Sequence, residues 1–229
     1  MEKAIALVSG GVKSAVMVAA AQSRYELLLL HIRTGTRASA AEHAAFVRMC
    51  DQWQSPKKMA VPLPHLAQLS GHVLFDTKRA AQELLSRGES VDAYVPGLMP
   101  ALLEVATLCA VRAGAARILI GIAEAPGAPG APEPTPPDQQ KEFCQIYNDL
   151  LACLVSGSTT PILEAPLIDL AYAEIIKLGN RVKAPLESAW SCLLASDEPC
   201  GQCPGCRRRT LGFLQSGIPD PALERAARL

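Results

Sequence analysis

Short aliphatic runs alternate with amphipathic segments along the first half of the chain. Four runs are apolar almost throughout, which is typical of strands buried on both faces: AIALVS (4–9), ELLLLHIR (26–33), MAVPL (59–63) and ARILIGIA (116–123). Helices are predicted between them: at 14–22, at 38–53, where apolar residues occur at helical spacing, and within 93–114, which leads into a long helix closed by Gly114. This alternation predicts an α/β fold in which a parallel sheet carries helices on both faces.

The second half of the chain continues the pattern less regularly. We predict a helix at 140–155, an extended piece at 161–168, a helix that Asp169 caps, and a closing helix at 221–229. Residues 125–137 hold six prolines, which lack backbone donors and exclude a sheet or helix interior. We expect a mobile surface loop there, either a spacer without a role or a lid over the strand ends.

Four of the eight cysteines lie close together near the C-terminus. Their spacing is Cys192-x7-Cys200-x2-Cys203-x2-Cys206, and two-residue gaps let successive thiolates converge on one tetrahedral zinc ion. Four thiolates leave no position for water, so the predicted role is structural. An iron–sulfur cluster and unligated or redox cysteines are the alternatives. We expect two units, an α/β domain at 1–185 and a zinc-binding region at 186–229.

A glycine pair follows the first predicted strand. Ser9-Gly10-Gly11 leads directly into a helix, and backbone N–H groups at such a turn can bind phosphate oxygens. The hydroxyls of Ser9 and Ser14 add possible donors. The spacing of neither a Walker loop nor a dinucleotide fingerprint is present. A tight turn without a ligand remains the alternative from these residues alone.

The charge balance argues against a strongly charged partner. Lys plus Arg and Asp plus Glu both total 22, so no overall field favours nucleic acid or an anionic membrane. The chain has neither an apolar window of about 20 residues nor a signal-peptide pattern. We therefore expect a cytoplasmic protein that acts on a small molecule, without a membrane or direct nucleic-acid partner.

Several stretches together resemble one family. The ending AWSCLLASDEPCGQCPGCRRRTLGFLQSGIPDP is similar to the family pattern TWSC…KPCGxCxSCxxRxxGFxxAGxxDP. APLIDLAYAEIIKLG resembles APLxxLxKAEIxxLG, AYVPG resembles YVPGRN, and SGGVKS resembles SGGxDS. These motifs occur in the same order over most of the chain. On them the chain is identified as a member of the 7-cyano-7-deazaguanine synthase (QueC) family.

The resemblance implies an adenine nucleotide alpha hydrolase-like sheet (the PP-loop class), a homodimer, and zinc bound by the four C-terminal cysteines. Family members use ATP to activate the carboxylate of 7-carboxy-7-deazaguanine. Ammonia then gives the amide, and a second activation gives the nitrile, a precursor of queuosine and archaeosine. Activation converts a poor leaving oxygen into a good one, and loop N–H groups stabilise the departing pyrophosphate.

The motifs also assign candidate site residues. The resemblance implies that the phosphates of ATP, with Mg²⁺, contact Ser9, Gly10, Gly11, Lys13, Ser14 and Arg37. Asp138 matches the family's aspartate that faces the N–H groups of the substrate. Lys13 and Asp138 are therefore the candidate catalytic residues.

The chain departs from the family pattern mainly at positions expected near the strand ends. The departures are Lys13, Thr36, Ala38, Leu98, Met99, Gln139 and Gln140. Lys13 replaces the aspartate of SGGxDS, and an ammonium there repels a metal ion and attracts phosphate. Three functions stay open: the synthase reaction, a catalytically silent binding or partner protein, and a ligase that joins the activated acid to another amine.

Other polar residues are assigned ordinary roles. The four histidines, His31, His43, His65 and His72, are expected to serve packing or surface roles. The run from Arg207 to Arg209 is expected on a solvated helix face rather than on a phosphate or tRNA. Cys144 and Cys153 are expected in the core.

Overall fold

Five parallel strands form the centre of the molecule. The computed structural model describes residues 1–55, 57–76, 78, 93–123, 135–156, 160–194 and 197–222. The strands are β1 (Glu2–Leu7), β2 (Tyr25–Arg33), β3 (Lys58–Pro62), β4 (Arg117–Leu119) and β5 (Ile162–Glu164). They form one sheet in the order β3-β2-β1-β4-β5, and every pair is parallel. The predicted α/β fold is confirmed.

Seven α-helices connect or flank these strands in the described part of the chain. They are α1 (Val12–Ala21), α2 (Ser39–Gln52), α3 (His65–Leu69), α4 (Leu98–Ala113), α5 (Lys141–Leu154), α6 (Tyr172–Arg181) and α7 (Pro204–Ser216). Short 3₁₀ turns occur at Val73–Phe75, Pro137–Gln139 and Leu186–Ser188. The α4 helix ends at Gly114, whose left-handed backbone (φ 61°) closes the last turn as predicted.

Successive residues of the central strand, β1, pack into two separate hydrophobic cores. Ala4 and Ala6 face a cluster with α1, α2, α6 and Phe213 of α7. Ile5 points the other way, into a cluster with α4 and α5. Because side chains alternate across a strand, a strand that is apolar throughout has to be covered on both faces. This explains why the aliphatic runs indicated a sheet with helices on each side.

The helices predicted at 14–22, 38–53 and 140–155 agree with α1, α2 and α5 to within two residues, the helix predicted within 93–114 begins at Leu98, and α3 was not predicted. The predicted cap Asp169 is wrong, because Ala171 occupies the N-cap position of α6 and its amide donates to the Glu174 carboxylate at 2.8 Å. Asp169 forms an ion pair with Lys141 of α5 instead. The proline-rich loop falls almost wholly outside the described residues, as does the predicted closing helix after Ala222.

The α7 helix packs directly on the body of the protein. A Cβ atom at Gly212 would lie 2.2 Å from the ring of Tyr172 at the start of α6. A Cβ at Gly205 would lie 2.0 Å from the backbone oxygen of Ser191. Only glycine fits these two close approaches. In the described part of the chain, no helix is both long and apolar enough to cross a lipid bilayer.

Candidate functional site

The glycine loop lies where the strand order reverses. The chain proceeds from β1 outward to β3 and then returns to place β4 on the other side of β1. Ligands of open parallel sheets bind at the carboxyl ends of the strands at such a point. A Cβ at Gly121, after β4, would lie 2.8 Å from the amide nitrogen of Ser14. The two strand ends therefore bring their loops into direct contact.

Backbone geometry makes Gly10 necessary in this loop. Its φ of 87° lies in the left-handed region, and a Cβ there would lie 2.4 Å from the carbonyl oxygen of Glu42. The Ser9 hydroxyl accepts the Gly11 amide at 3.2 Å and lies 3.3 Å from the Ser14 hydroxyl. The loop is thus built as a narrow turn against α2, with hydroxyls at the start of α1.

A cavity of about 300 Å³ opens beside this loop. Its wall is mainly aliphatic, and it is lined by side chains from the ends of β1 and β2 and from the start of α4. Six of the seven departures from the family pattern lie on this wall: Lys13, Thr36, Ala38, Leu98, Met99 and Gln139. Residues that are far apart in the chain are therefore altered around one volume. Gln140 does not line the cavity and donates to the Thr135 carbonyl at 3.2 Å.

Lys13 projects between this cavity and a smaller one of about 150 Å³. Its Nζ donates to Gln139 Oε1 at 3.4 Å. Burial, helped by the positive charge of Arg208, lowers the pKa of Lys13 to about 8. At neutral pH a smaller fraction of Lys13 is therefore protonated than of a surface lysine. Even so, the ammonium form predominates at pH 7.

Glu42 is a site residue that the sequence analysis missed. It lies on α2 and lines both cavities. Burial raises the pKa of its carboxyl to about 7. An acidic residue in an alanine-rich helix carries no signal of this kind in the sequence, because only the packing of α2 against the loop removes it from water.

We expect Glu42→Gln to stabilise the protein at pH 8 and to have little effect at pH 4. The carboxyl pKa is about 7 when folded, against an ordinary value of 4.5, so the folded state binds more protons between these values. Stability is therefore lost as pH rises through this window. An uncharged glutamine escapes that loss, which we put at about 1–3 kcal/mol at pH 8.

Urea unfolding of Glu42→Gln and wild type at both pH values measures the difference. The exposed Glu104 on α4 provides the control, and Glu104→Gln should behave alike at both pH values. Equal stability of wild type and Glu42→Gln at pH 8 would contradict the assignment.

Arg37 and Asp138 do not line either cavity. The Arg37 guanidinium donates to the Leu194 carbonyl at 3.1 Å and to the Asp76 carbonyl. It therefore ties the loop after β2 to the cysteine region. Asp138 is 9% exposed, and its Oδ1 has no hydrogen-bond partner among the described residues. Burial raises the pKa of this carboxyl.

Two of the histidines form a pair that the sequence did not indicate. His31 on β2 is buried, and its Nδ1 lies 2.8 Å from the Val8 carbonyl. Its ring centroid is 5.3 Å from that of His43 and 4.9 Å from that of Phe46, both on α2. Burial lowers the pKa of His31 to about 4. The ring is therefore neutral at pH 7, and it is a buried part of the wall of the larger cavity.

The four C-terminal cysteines converge. Their Sγ atoms all lie within 4.8 Å of one another. Backbone amides point at the sulfurs: Leu193 N lies 3.3 Å from Cys203 Sγ and Cys200 N lies 3.4 Å from Cys192 Sγ. Such N–H donors stabilise thiolates. The donor set fits a metal ion that prefers four sulfur ligands, to be held by Cys192, Cys200, Cys203 and Cys206.

This cysteine region supports the glycine loop directly. The Trp190 amide donates to the Gly10 carbonyl at 2.9 Å, and its indole Nε1 donates to the Cys192 carbonyl at 2.8 Å. Trp190 thus connects the four-cysteine cluster to the loop. The region also packs on Leu74, Phe75 and Val95 in a small apolar cluster.

Comparison with known proteins identifies the family. The family model described as "Queuosine biosynthesis protein QueC" matches residues 3–217. The chain belongs to the QueC family. Two QueC relatives, each named 7-cyano-7-deazaguanine synthase, come from Chlorobium phaeobacteroides (strain BS1) and Methanothrix thermoacetophila. They are 30% and 32% identical; the matches cover 96% of this chain in both cases and 95% and 98% of the relatives.

Solved structures resemble this QueC-family chain more distantly. NMN synthetase from Francisella tularensis matches with a TM-score of 0.48 at 14% identity, over 98% of this chain and 82% of that chain. The U34-tRNA thiolase NcsA from Methanococcus maripaludis, with its [4Fe-4S] cluster, matches with a TM-score of 0.45 at 13% identity. That match covers 94% of this chain and 65% of NcsA. The five-stranded parallel sheet is the α/β architecture predicted from the sequence.

Proposed function

We propose that the chain is a 7-cyano-7-deazaguanine synthase-like ligase that uses ATP to activate the carboxylate of a deazapurine acid. The observation that carries the proposal is the match of the QueC model to residues 3–217. The position of the glycine loop at the strand-order reversal supports it, because nucleotides bind at this point of open parallel sheets.

The proposed reaction has two activations. The substrate carboxylate attacks the α-phosphorus of ATP, and pyrophosphate leaves with the bonding electrons. Ammonia then attacks the acyl carbon, AMP leaves, and the amide forms. A second ATP activates the amide oxygen in the same way. Loss of AMP and two N–H protons then leaves the nitrile.

The loop residues suit the first step of this reaction. N–H groups of Gly10, Gly11 and the first turn of α1 would bind the leaving pyrophosphate, assisted by the hydroxyls of Ser9 and Ser14 and by the Lys13 ammonium. The unpartnered oxygen of Asp138 is buried and lies outside both cavities, so its proposed role as acceptor of an N–H of the substrate base rests on the family resemblance alone. Arg37 holds its loop in place through two backbone carbonyls and acts on the phosphates only indirectly.

The cysteine cluster would hold zinc in a structural role. A thiolate-bound zinc ion would supply no substrate chemistry, because its four positions are filled. Its contribution would be the fixed position of Trp190 against Gly10. We place the reaction in the cytoplasm, and the homodimer implied by the family resemblance remains a prediction.

A second candidate function is a catalytically silent binding or partner protein. The apolar Leu98 and Met99 and the cationic Lys13 on the cavity wall favour it, because they replace polar and acidic groups of the family pattern. The ligase variant, in which another amine takes the place of ammonia, needs the same activation step and shares its test.

The test incubates the protein with ATP, ammonium and 7-carboxy-7-deazaguanine, and follows AMP, pyrophosphate and the nitrile by mass spectrometry. Substrate-dependent AMP together with the nitrile is the expected result. AMP without amide or nitrile, but with a new adduct when other amines are offered, would favour the ligase variant. Absence of AMP under all conditions would overturn the proposal in favour of the silent binding protein.

A further inference from the structure

Two cations from distant parts of the chain share the smaller cavity beside the glycine loop. Lys13 comes from the first turn of α1, and Arg208 comes from α7. Both line the 150 Å³ cavity together with Ser9 and Gly11. The family pattern has an aspartate at the first position and leaves the second unspecified. The second cation was therefore not apparent from the motif.

No carboxylate of the described residues forms an ion pair with either cation. The Lys13 ammonium has only the long contact with the neutral side chain of Gln139, and the Arg208 side chain has no ion pair or hydrogen bond with another described residue. The positive charge of Arg208 contributes to the lowered pKa of Lys13. Two like charges at one partly buried cavity repel each other. A bound anion removes that repulsion and contributes charge-assisted hydrogen bonds.

The same residues are a poor match for magnesium. Mg²⁺ prefers carboxylate and phosphate oxygens in near-octahedral geometry. Among the described residues, Glu42 is the sole carboxylate that lines this cavity, and burial raises its pKa to about 7. A carboxyl that is half protonated at neutral pH is a weak metal ligand, and the ammonium and guanidinium repel a cation.

We infer that Lys13 and Arg208 take the place of the divalent cation, so that this site binds a pyrophosphoryl group, free or as part of ATP, without magnesium. The two side chains together carry the charge that one Mg²⁺ ion would bring to the phosphates. The inference rests on the proposed function for the identity of the nucleotide, but it concerns binding and not turnover.

Calorimetry tests the inference on protein whose cysteine cluster holds its metal. Sodium pyrophosphate and ATP are each titrated in magnesium-free buffer and in buffer with excess magnesium. We expect pyrophosphate to bind in magnesium-free buffer, and magnesium to leave its affinity unchanged or to weaken it, because the metal competes with the two cations. Binding of ATP without binding of pyrophosphate would show that the nucleoside, and not the two cations, determines the affinity. That result, or binding that needs magnesium, would overturn the inference.

Variants test the two residues separately. Lys13→Met and Arg208→Met should each weaken pyrophosphate binding about tenfold, whereas the matched control Arg207→Met, at an exposed position of the same helix, should not. Lys13→Asp, which restores the acidic residue of the family pattern, should abolish magnesium-free binding and make any remaining binding depend on magnesium. Circular dichroism and metal content confirm that each variant is folded. Unchanged affinity in both folded single variants, Lys13→Met and Arg208→Met, would overturn the inference.

The outcomes separate this inference from the proposed function. Magnesium-free pyrophosphate binding without any AMP formation would sustain the cation pair and remove the ligase reaction. Formation of the nitrile together with strictly magnesium-dependent binding would sustain the ligase reaction and overturn the cation pair.

Discussion

Replacing Cys203 with serine is expected to abolish stoichiometric metal binding and to lower the free energy of unfolding by several kcal/mol. Cys203 is buried, and its sulfur lies 4.0 Å from that of Cys192. A structural zinc ion contributes its binding energy to folding, about 10–16 kcal/mol in zinc-finger peptides. Loss of one thiolate opens the shell and leaves the remaining sulfurs without their shared ion. We expect the segment around Trp190 to release the glycine loop.

Metal analysis by mass spectrometry and urea unfolding measure these two effects. Cys153→Ser is the matched control, because Cys153 lies exposed on α5, contrary to the core position expected from the sequence. The control should keep one zinc per chain and wild-type stability. A Cys203→Ser protein with both properties would refute the metal assignment, and iron with visible absorption in the wild type would favour a cluster.

Replacing Arg209 with methionine is expected to cost about 3–5 kcal/mol of stability, because it leaves a buried charge without its partner. Arg209 is 9% exposed and donates to both carboxylate oxygens of Asp220, at 2.6 and 2.7 Å. It also donates to the carbonyls of Ala189 and Leu186, at 2.7 and 3.1 Å. The Arg209 guanidinium therefore joins α7 to Leu186 and Ala189, which precede the cysteines, and to Asp220, which follows the helix.

Arg207→Met on the exposed face of the same helix is the control, and it should change the free energy of unfolding by less than about 0.5 kcal/mol. The double variant Arg209→Met with Asp220→Leu should recover part of the loss, because no charge is then left unpaired. Urea unfolding of wild type, Arg209→Met, Arg207→Met and the double variant measures these differences in stability. Equal stabilities for Arg209→Met and Arg207→Met would show that the buried network contributes little.

The arginine run illustrates a limit of sequence patterns. The three consecutive arginines were expected on a solvated helix face, and this prediction is wrong for Arg209. Successive residues of a helix are separated by about 100° around its axis, so three neighbours cannot share one environment. Arg207 is exposed, Arg208 lines the cavity and Arg209 is buried. Which residue takes which role depends on the face that α7 packs against Tyr172 and Ala189.

The sheet and its two helical layers were predictable because their signals are local. Aliphatic runs such as ELLLLHIR specify strands buried on both faces, and periodic spacing specifies the helices between them. The cysteine spacing was sufficient to predict that the four sulfurs converge, because the gaps between Cys200, Cys203 and Cys206 are only two residues long. The glycine loop was located for the same reason, since the turn and the following helix adjoin one strand.

The composition of the site was decided only by tertiary structure. The sequence showed that Lys13, Leu98, Met99 and Gln139 depart from a family pattern, but only the parallel sheet brings them to one cavity wall. Glu42, Arg208 and the pair of His31 and His43 carry no local signal, because desolvation and proximity arise when helices distant in the chain pack on the strand ends. Local periodicity therefore determined the scaffold of this protein. Long-range packing determined the charges at its centre.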